Sequence, residues 1–471
     1  MHRLRKETGP MAALHEVDTG DEKSAEDCYT TTLASGDLPK RRMPEGGSPP
    51  GAVRDLILDE LALDGNASQN LATFCSTFLD HEAHELMAVC IDKNMVDKDE
   101  YPQTAEIENR CVHILADLWN APAGPTVGTS TTGSSEAAML AGLALKWRWR
   151  AARRAAGKPA DRPNLVCGPV QVCWEKFARY FDVELRQVPV LPDATGLRPE
   201  QLRANVDENT IGVVGILGVT YTCDYEPIKE LAAELDAIQD DTGLDIPLHV
   251  DAASGGFVAP FLQPALEWDF RVPRVASINA SGHKYGMAPL GVGFVVWRSP
   301  ELLPEDLVFR VRYLGGNMPT LALNFSRPGG QVIAQYFNFL RHGHDGYTKI
   351  YEIASEAGQA LGRRIAEMGP FELVYDGKGA LPAVSWKLKE PDKAGFTLYD
   401  LTDRLRTRGW QVPAYPLPAD RQDTVIQRVL VRHGISRDKL ELLGDDVERE
   451  VKRLQAADGG SVAPQEAGFH H

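Results

Sequence analysis

Apolar positions along the chain take on a helical rhythm from Val53, and from about residue 105 helical stretches begin to alternate with short apolar runs. The spacing predicts a long helix over Glu136 to Ala156. Ser134 and Ser135 stand at its start, Met139, Leu140 and Leu143 recur at helical intervals, and Gly157 and Pro159 end it. Apolar runs at Asn164–Cys167, Val183–Val188, Ile211–Val219, Pro247–Val250, Val275–Ile278 and Val292–Trp297 predict strands, and a helix over Pro227–Asp240 lies between two of them. Such alternation implies a mainly parallel sheet covered on both faces. In that architecture ligands collect at the carboxyl ends of the strands, where Thr220, Asp251 and Lys284 fall.

After about residue 355 a second, smaller α/β pattern begins, with strands over Ala383–Leu388 and Thr424–Val431 and a helix near Leu398 to Arg408. The expected organisation is an N-terminal arm over residues 1–68, a large domain over 69–354 and a small C-terminal domain with a flexible tail over 355–471. Residues 1 to about 50 are rich in charge, Gly, Pro, Ser and Thr and carry little periodicity, so they are expected to be flexible.

Composition narrows the partners. At 471 residues, 43% hydrophobic and 25% charged, the chain is long enough for a sizeable core and more than one domain. The net charge of −16 stays negative even with all 12 histidines protonated, which argues against nucleic acid. Seven cysteines contain no C-x-x-C pair and cannot all pair internally, pointing to reduced thiols and a cytoplasmic location. The most apolar stretch, Met287–Trp297, falls short of the roughly 20 residues a membrane span needs. The basic start has no apolar segment behind it, so it does not read as a secretory signal.

The candidate chemistry centres on two residues. Lys284, in Ser-Gly-His283-Lys284, lies 33 residues after Asp251 of His-Val-Asp251-Ala-Ala253. An amine that can hold an aldehyde and a carboxylate that can keep a ring nitrogen protonated are the two groups pyridoxal phosphate requires. Gly133-Ser134-Ser135 at a helix start offers hydroxyls and free N–H groups to a phosphate. No Gly-Lys-Ser/Thr follows, so it is not a Walker loop.

Eight segments occur in order between about residues 55 and 440: Asn-Leu-Ala-Thr73-Phe74-Cys, Asp97-Lys-Asp-Glu-Tyr-Pro-Gln, Gly-Ser134-Ser135-Glu-Ala, Cys-Gly-Pro-Val-Gln171, Gly-Val-Thr220-Tyr-Thr, His-Val-Asp251-Ala-Ala253-Ser-Gly-Gly-Phe, Ser-Gly-His283-Lys284 and Asn-Phe-Ser326-Arg-Pro. Together they resemble the bacterial glutamate decarboxylases of the pyridoxal-phosphate-dependent group II decarboxylase family. The resemblance implies the aspartate aminotransferase fold, fold type I. It implies that Lys284 binds the cofactor aldehyde, Asp251 pairs with the ring nitrogen, and Gln171 and Ala253 sandwich the ring. Ser134, Ser135 and His283 would contact the phosphate, with Ser326 reaching it from a neighbouring subunit, so an obligate dimer is expected. Thr220 would lie near the ring hydroxyl and Arg428 would grip the substrate α-carboxylate. Thr73, the Phe74 backbone, Asn94 and Asp97 would face the distal carboxylate, and Lys284 or His283 would return a proton to Cα.

The implied reaction converts L-glutamate to 4-aminobutyrate and CO2, consumes a proton, is favoured at acidic pH and serves acid resistance. Decarboxylation of another acidic amino acid such as aspartate, or a non-catalytic relative, are the alternatives. A hexamer is left open, because residues 1–50 depart from the helical N-terminal pattern that ties family hexamers together. No long basic, tryptophan-containing extension follows, so calmodulin is not an expected partner.

Other signals are weaker. His81-Glu-Ala-His84-Glu lacks the spacing of a zinc site, so no metal is expected. Ala252-Ala253-Ser254-Gly-Gly lacks the leading glycine of a hydrolase elbow. Lys146-Trp-Arg-Trp-Arg150 places positive charge near a helix C-terminus, as the dipole favours. The closing Gly-Phe469-His470-His471 is either a histidine plug that closes the site when neutral or a frayed tail.

Overall fold

The computed structural model describes residues 41–192, 194–311, 318–418 and 421–456. The chain falls into two compact units, one ending at Gly65 and one beginning at Asn66. In the first, the described secondary structure is α1 (Pro50–Leu61), with proline in its first turn, where the missing N–H has no helical partner to lose. The tail of residues 457–471 and most of the N-terminal arm lie outside the described residues, and with them the histidine plug.

The second unit opens with α2 (His81–Val89) and α3 (Pro102–Leu118), then β1 (Val127–Thr131), α4 (Ser134–Ala155), β2 (Asn164–Cys167), α5 (Val172–Tyr180), β3 (Glu184–Gln187), β4 (Thr210–Ile216), α6 (Ile228–Thr242), β5 (Leu248–Asp251), α7 (Ala259–Leu262), β6 (Val275–Ala280) and β7 (Gly293–Trp297). A short hairpin of β8 (Phe309–Val311) and β9 (Met318–Thr320) follows. Then come α8 (Gly330–Glu367), β10 (Phe371–Tyr375), β11 (Ala383–Leu388), α9 (Leu398–Arg406), β12 (Ala414–Pro416), β13 (Val425–Leu430) and α10 (Arg437–Ala456).

Seven strands form one sheet in the order β1-β7-β6-β5-β4-β2-β3. The five from β3 to β6 are mutually parallel, and β7 runs antiparallel to both β6 and β1. Strands β2, β4, β5 and β6 are buried along their whole length, so their apolar side chains do not alternate with exposed polar ones, and the polar residues they carry, such as His249 and Asn279, are buried too. Their register aligns Ile216, Asp251 and Asn279 side by side at the ends of β4, β5 and β6. The turns after these three residues carry Thr220, Ala253 and Lys284 into one place.

A four-stranded antiparallel sheet, β10-β11-β13-β12, packs against α8, α9 and α10 around Phe371, Trp386, Leu401, Val429 and Leu443. Helix α8 is broken at Gly343, whose φ of +58° lies in the left-handed region.

The strand expected over Ile211–Val219 stops earlier, at Ile216. Glu226 takes up the backbone on the other side of this strand end: its carboxyl accepts from Ile216 N–H at 2.7 Å and from Leu197 N–H at 2.7 Å, while Leu217 N–H still reaches Asp251 O at 3.0 Å. Gly168 and Gly196 pack so closely that a Cβ at either would stand within 2.5 and 2.7 Å of a Glu226 oxygen. Burial pushes the Glu226 carboxyl up to about 8, more than its two N–H donors hold it down. A carboxyl whose folded value is raised from 4.5 keeps its proton in the native state while the unfolded chain releases it. Its stabilisation is therefore complete below about 4.5 and lost as pH rises through about 8. Relative to Glu226→Gln, the wild-type protein is expected to lose stability between these limits, by at most about 1.4 kcal/mol per pH unit. Denaturant unfolding of both proteins at mildly acidic and mildly alkaline pH reads this difference, and a pH-independent difference would refute it.

Candidate active site

The turn between β1 and α4 makes a cup. Gly133, with φ +148°, leads into Ser134 and Ser135 at the head of α4, where the first N–H groups have no helical acceptor and the dipole is positive. The cup sits on β7 without a spacer: a Cβ on Gly293 would lie 2.5 Å from the Gly133 carbonyl carbon and 2.7 Å from Ser134 N. Glu136 braces its rim. One of its carboxylate oxygens accepts from Thr132 N–H and Oγ1 at 2.7 and 2.8 Å, the other from Leu323 N–H at 2.8 Å. Below the cup lies a cavity of about 280 Å³. Ser134, Ser135, Gln171, Thr220, Asp251, Ala253, His283 and Lys284 all line it.

Asp251, at the end of β5, is buried and accepts three hydrogen bonds. Trp174 Nε1 donates to Oδ2 at 2.8 Å, while Ala253 N and Asn279 Nδ2 donate to Oδ1 at 3.1 and 3.0 Å. A carboxylate offers about four lone-pair directions. Three donors therefore orient Asp251 and leave one direction for a cationic N–H from the cavity. Gln171 caps α5, its Oε1 accepting from Cys173 N at 2.7 Å, which fixes its side chain at the cavity wall.

Lys284 follows β6 in the turn Ser281–Lys284, with its Nζ 5.2 Å from the centre of the Phe74 ring. Burial lowers its amine below the ordinary lysine value, against the opposing pull of the Asp251 charge. A share of neutral amine is what capture of an aldehyde requires. His283 is pushed down to about 4, first by burial and then by the Lys284 charge, so its ring is neutral over most of the working range. Its Nδ1 is buried without a hydrogen-bond partner, and the ring lies against Gly133, where a Cβ would meet Cε1 at 3.0 Å. A buried unpartnered ring nitrogen beside two serines at a helix head suits an anionic ligand atom.

The residues expected around the substrate separate into two groups. The segment of Thr73 and Phe74 is clamped from β13 and the turn after it. Arg428 donates to Ala72 O at 2.8 Å and to Thr220 O, and Arg432 donates to Asn70 O at 2.5 Å and to Cys75 O. Ser76 N then donates to His283 O at 2.7 Å. Phe74 is the floor shared by both cations, since the Arg428 guanidinium stands 4.5 Å from its ring centre. Arg428 Nε has no partner. The second group is Asn94, Asp97 and Ser326. Asn94 Nδ2 donates to Ser326 Oγ at 3.3 Å and Asp97 N donates to Asn94 O at 3.2 Å. Neither these three nor Thr73, Phe74 and Arg428 line the cavity itself, but Phe74 and Arg428 reach its lining residues Lys284 and Thr220. Asp97 Oδ1 accepts from Glu100 N at 3.4 Å, a turn contact.

Sequence reasoning missed Trp174, Asn279, Arg432 and Glu136. Trp174 lies three residues after Gln171 and Asn279 one residue after the apolar run Val275–Ile278, so both stand just beyond segments already singled out.

A phosphate cup, a buried lysine and an oriented carboxylate at the carboxyl edge of a mostly parallel sheet define an enzyme that uses pyridoxal phosphate. The residues present fit that cofactor: Ser134, Ser135 and His283 for the phosphate, Asp251 for the ring nitrogen, Lys284 for the aldehyde. The chain belongs to the pyridoxal-dependent decarboxylases, whose conserved-domain model matches residues 48–389. It is 57% identical to a glutamate decarboxylase of Aliivibrio fischeri over 461 residues, covering 97% of this chain and 99% of that one. It is 47% identical to glutamate decarboxylase alpha of Listeria monocytogenes, covering 89% and 92%. Its structure is similar to that of Lactobacillus brevis glutamate decarboxylase, with a TM-score of 0.88 at 46% identity over 91% of this chain and 98% of that one.

Gly293→Ala tests the cup. The added methyl meets backbone, which cannot swing aside, and overpacking of this kind costs about 1–3 kcal/mol. The pyridoxal phosphate concentration giving half-maximal visible absorbance is expected to rise about tenfold or more. An unchanged titration would show that the cup does not hold the cofactor.

Proposed function

We propose that the chain removes the α-carboxylate of L-glutamate as CO2, yielding 4-aminobutyrate and taking up one proton. The observation that carries this reading is the buried Lys284–Asp251 pair in one cavity with the Ser134–Ser135 cup. Near full-length identity to proteins named glutamate decarboxylase supports glutamate as the substrate.

Bound pyridoxal phosphate supplies a sink for the electron pair left when the bond from Cα to the carboxylate breaks. The side chains do the rest. Lys284, its charge disfavoured by burial, holds and releases the aldehyde carbon. Asp251, aimed by three donors, holds the ring N–H. Arg428, with its unpartnered Nε above Phe74, grips the α-carboxylate and so selects which bond at Cα breaks. Lys284 or His283, both lining the cavity, would return the proton to Cα.

Asn94, Asp97 and Ser326 form one cluster that does not line the cavity of their own chain, and Leu290, Phe309, Leu323 and Phe325 are exposed apolar side chains. Both features support a dimer in which this cluster completes the partner's cavity, Ser326 toward the phosphate and Asn94 and Asp97 toward the distal carboxylate of glutamate. Among the described residues no helix is long and apolar enough to cross a membrane. Action in the cytoplasm, where proton uptake would oppose acid stress, accords with this.

The purified protein with pyridoxal phosphate is expected to release CO2 from glutamate and far less from aspartate when the two are assayed side by side. Lys284→Ala should lower turnover by at least about a thousandfold. Equal rates on both substrates would shift the assignment to a broader acidic-amino-acid decarboxylase, and an active Lys284→Ala would end it.

Two carboxylates facing each other bind best when they share a proton. Activity is accordingly expected to rise as pH falls below neutral, and Asp97→Asn should flatten that rise. A profile of rate against pH that is identical in Asp97→Asn would remove Asp97 from the substrate pocket.

A further inference from the structure

Behind Asp251 runs a buried chain of polar groups that the reaction does not touch. Ser277 Oγ lies 2.8 Å from His249 Nδ1, and His249 Nε2 lies 2.7 Å from Asn279 Oδ1. The Asn279 amide nitrogen then donates to two acceptors at once, Asp251 Oδ1 and Ser134 Oγ, each at 3.0 Å. All of these side chains except Ser134 are buried, with His249 and Asn279 fully inaccessible. Asn279 is thus a single amide that touches both the partner of the ring nitrogen and the phosphate cup.

The orientation of every group in this chain follows from one charge. Carboxylate oxygens only accept, so Asn279 must turn its NH2 toward Asp251 and its carbonyl toward His249. That carbonyl needs a donor, so His249 carries its proton on Nε2. Its Nδ1 is then an acceptor, and Ser277 donates to it. Burial lowers the His249 imidazole, in keeping with this neutral tautomer. At the other end, Ser134 Oγ accepts from Asn279, so its own proton is free to be donated into the cup.

We propose that Asn279 is a positioning residue that couples the carboxylate under the ring nitrogen to the phosphate cup, and that His249 sets its orientation. This rests on the reading of Lys284 and Asp251 as the cofactor-binding pair. A residue that merely filled space would affect folding alone. Asn279, acting through Asp251 and Ser134, should alter cofactor retention and the chemical step together while leaving substrate binding almost untouched.

The test uses the holoenzyme of Asn279→Ala, His249→Gln and His249→Asn. Cofactor release on dilution is followed by loss of the visible absorbance band, alongside kcat and KM for glutamate. Loss of a hydrogen bond to a charged group predicts that Asn279→Ala releases cofactor about tenfold faster or more. Its kcat should fall by a similar factor while KM stays within about twofold. The glutamine amide reaches the position of Nε2 and can still donate to Asn279, so His249→Gln should stay close to wild type. The asparagine amide reaches only the Nδ1 side, so His249→Asn should behave like Asn279→Ala. Wild-type release and kcat in Asn279→Ala, or two His249 variants that cannot be told apart, would overturn the proposal. If Asn279→Ala does not fold, the His249 pair decides alone. Lys284→Ala is the control: if it keeps the wild-type band of the lysine-linked cofactor, unshifted, the site reading itself has failed rather than the role of Asn279.

Discussion

The active-site architecture depends on keeping one carboxylate, Asp251, charged and aimed inside a buried cavity. Moving an ion out of water costs several kcal/mol unless fixed dipoles and counter-charges replace the water. Asp251 receives both. Three N–H donors from α5, β6 and its own turn hold it, and the Lys284 amine faces it in the same cavity. The donors come from different elements, so the carboxylate is aimed only when β5, β6 and α5 are all in place. Packing of the sheet and preparation of the site are one event.

The same constraint explains what could and could not be read in the sequence. Lys284, Asp251 and the serine pair were legible because each sits at an element boundary, where Gly, Ser and Asp stand out against apolar runs. Strands such as β2 and β11 were legible from their concentration of buried apolar side chains, and their limits matched the expectation. Strand β1 was not, since Val-Gly-Thr-Ser-Thr is polar and is held in the sheet by pairing with β7 alone. Nor were Trp174 and Asn279. Their function lies in register across the sheet, Asn279 opposite Asp251, and a relation between strands leaves no local mark. Asn279 inside Val-Ala-Ser-Ile-Asn-Ala was the one available clue, because a polar amide in a fully buried run must have partners.

A second layer of order comes from the arginines of β13 and the turn after it. Arg428 and Arg432 reach across to carbonyls of residues 70, 72, 75 and 220, and so fasten the Thr73–Phe74 segment beside Lys284. Backbone carbonyls carry partial charge only, so a guanidinium bound to them keeps most of its attraction for a full anion. The contacts that position Arg428 thereby leave its charge available. Phe74 beneath it supplies a flat apolar face that holds the guanidinium while excluding water, which strengthens whatever that cation meets.

Glu136 raises an apparent contradiction, since a carboxylate at the head of α4 competes with phosphate for the same positive helix end. Its oxygens resolve it. One is taken up by Thr132, the other by Leu323 and Asn324, so its charge is spent on the loop and not on the open N–H groups of the cup. The same bonds tie the cup to the stretch that runs two residues further to Ser326. Because that stretch leads to the Asn94–Ser326 contact, the rim of one cavity and the cluster assigned to the partner's cavity are braced by a single side chain. In the proposed dimer both phosphate sites would be ordered together, since neither rim could shift without moving the residue it offers to the other.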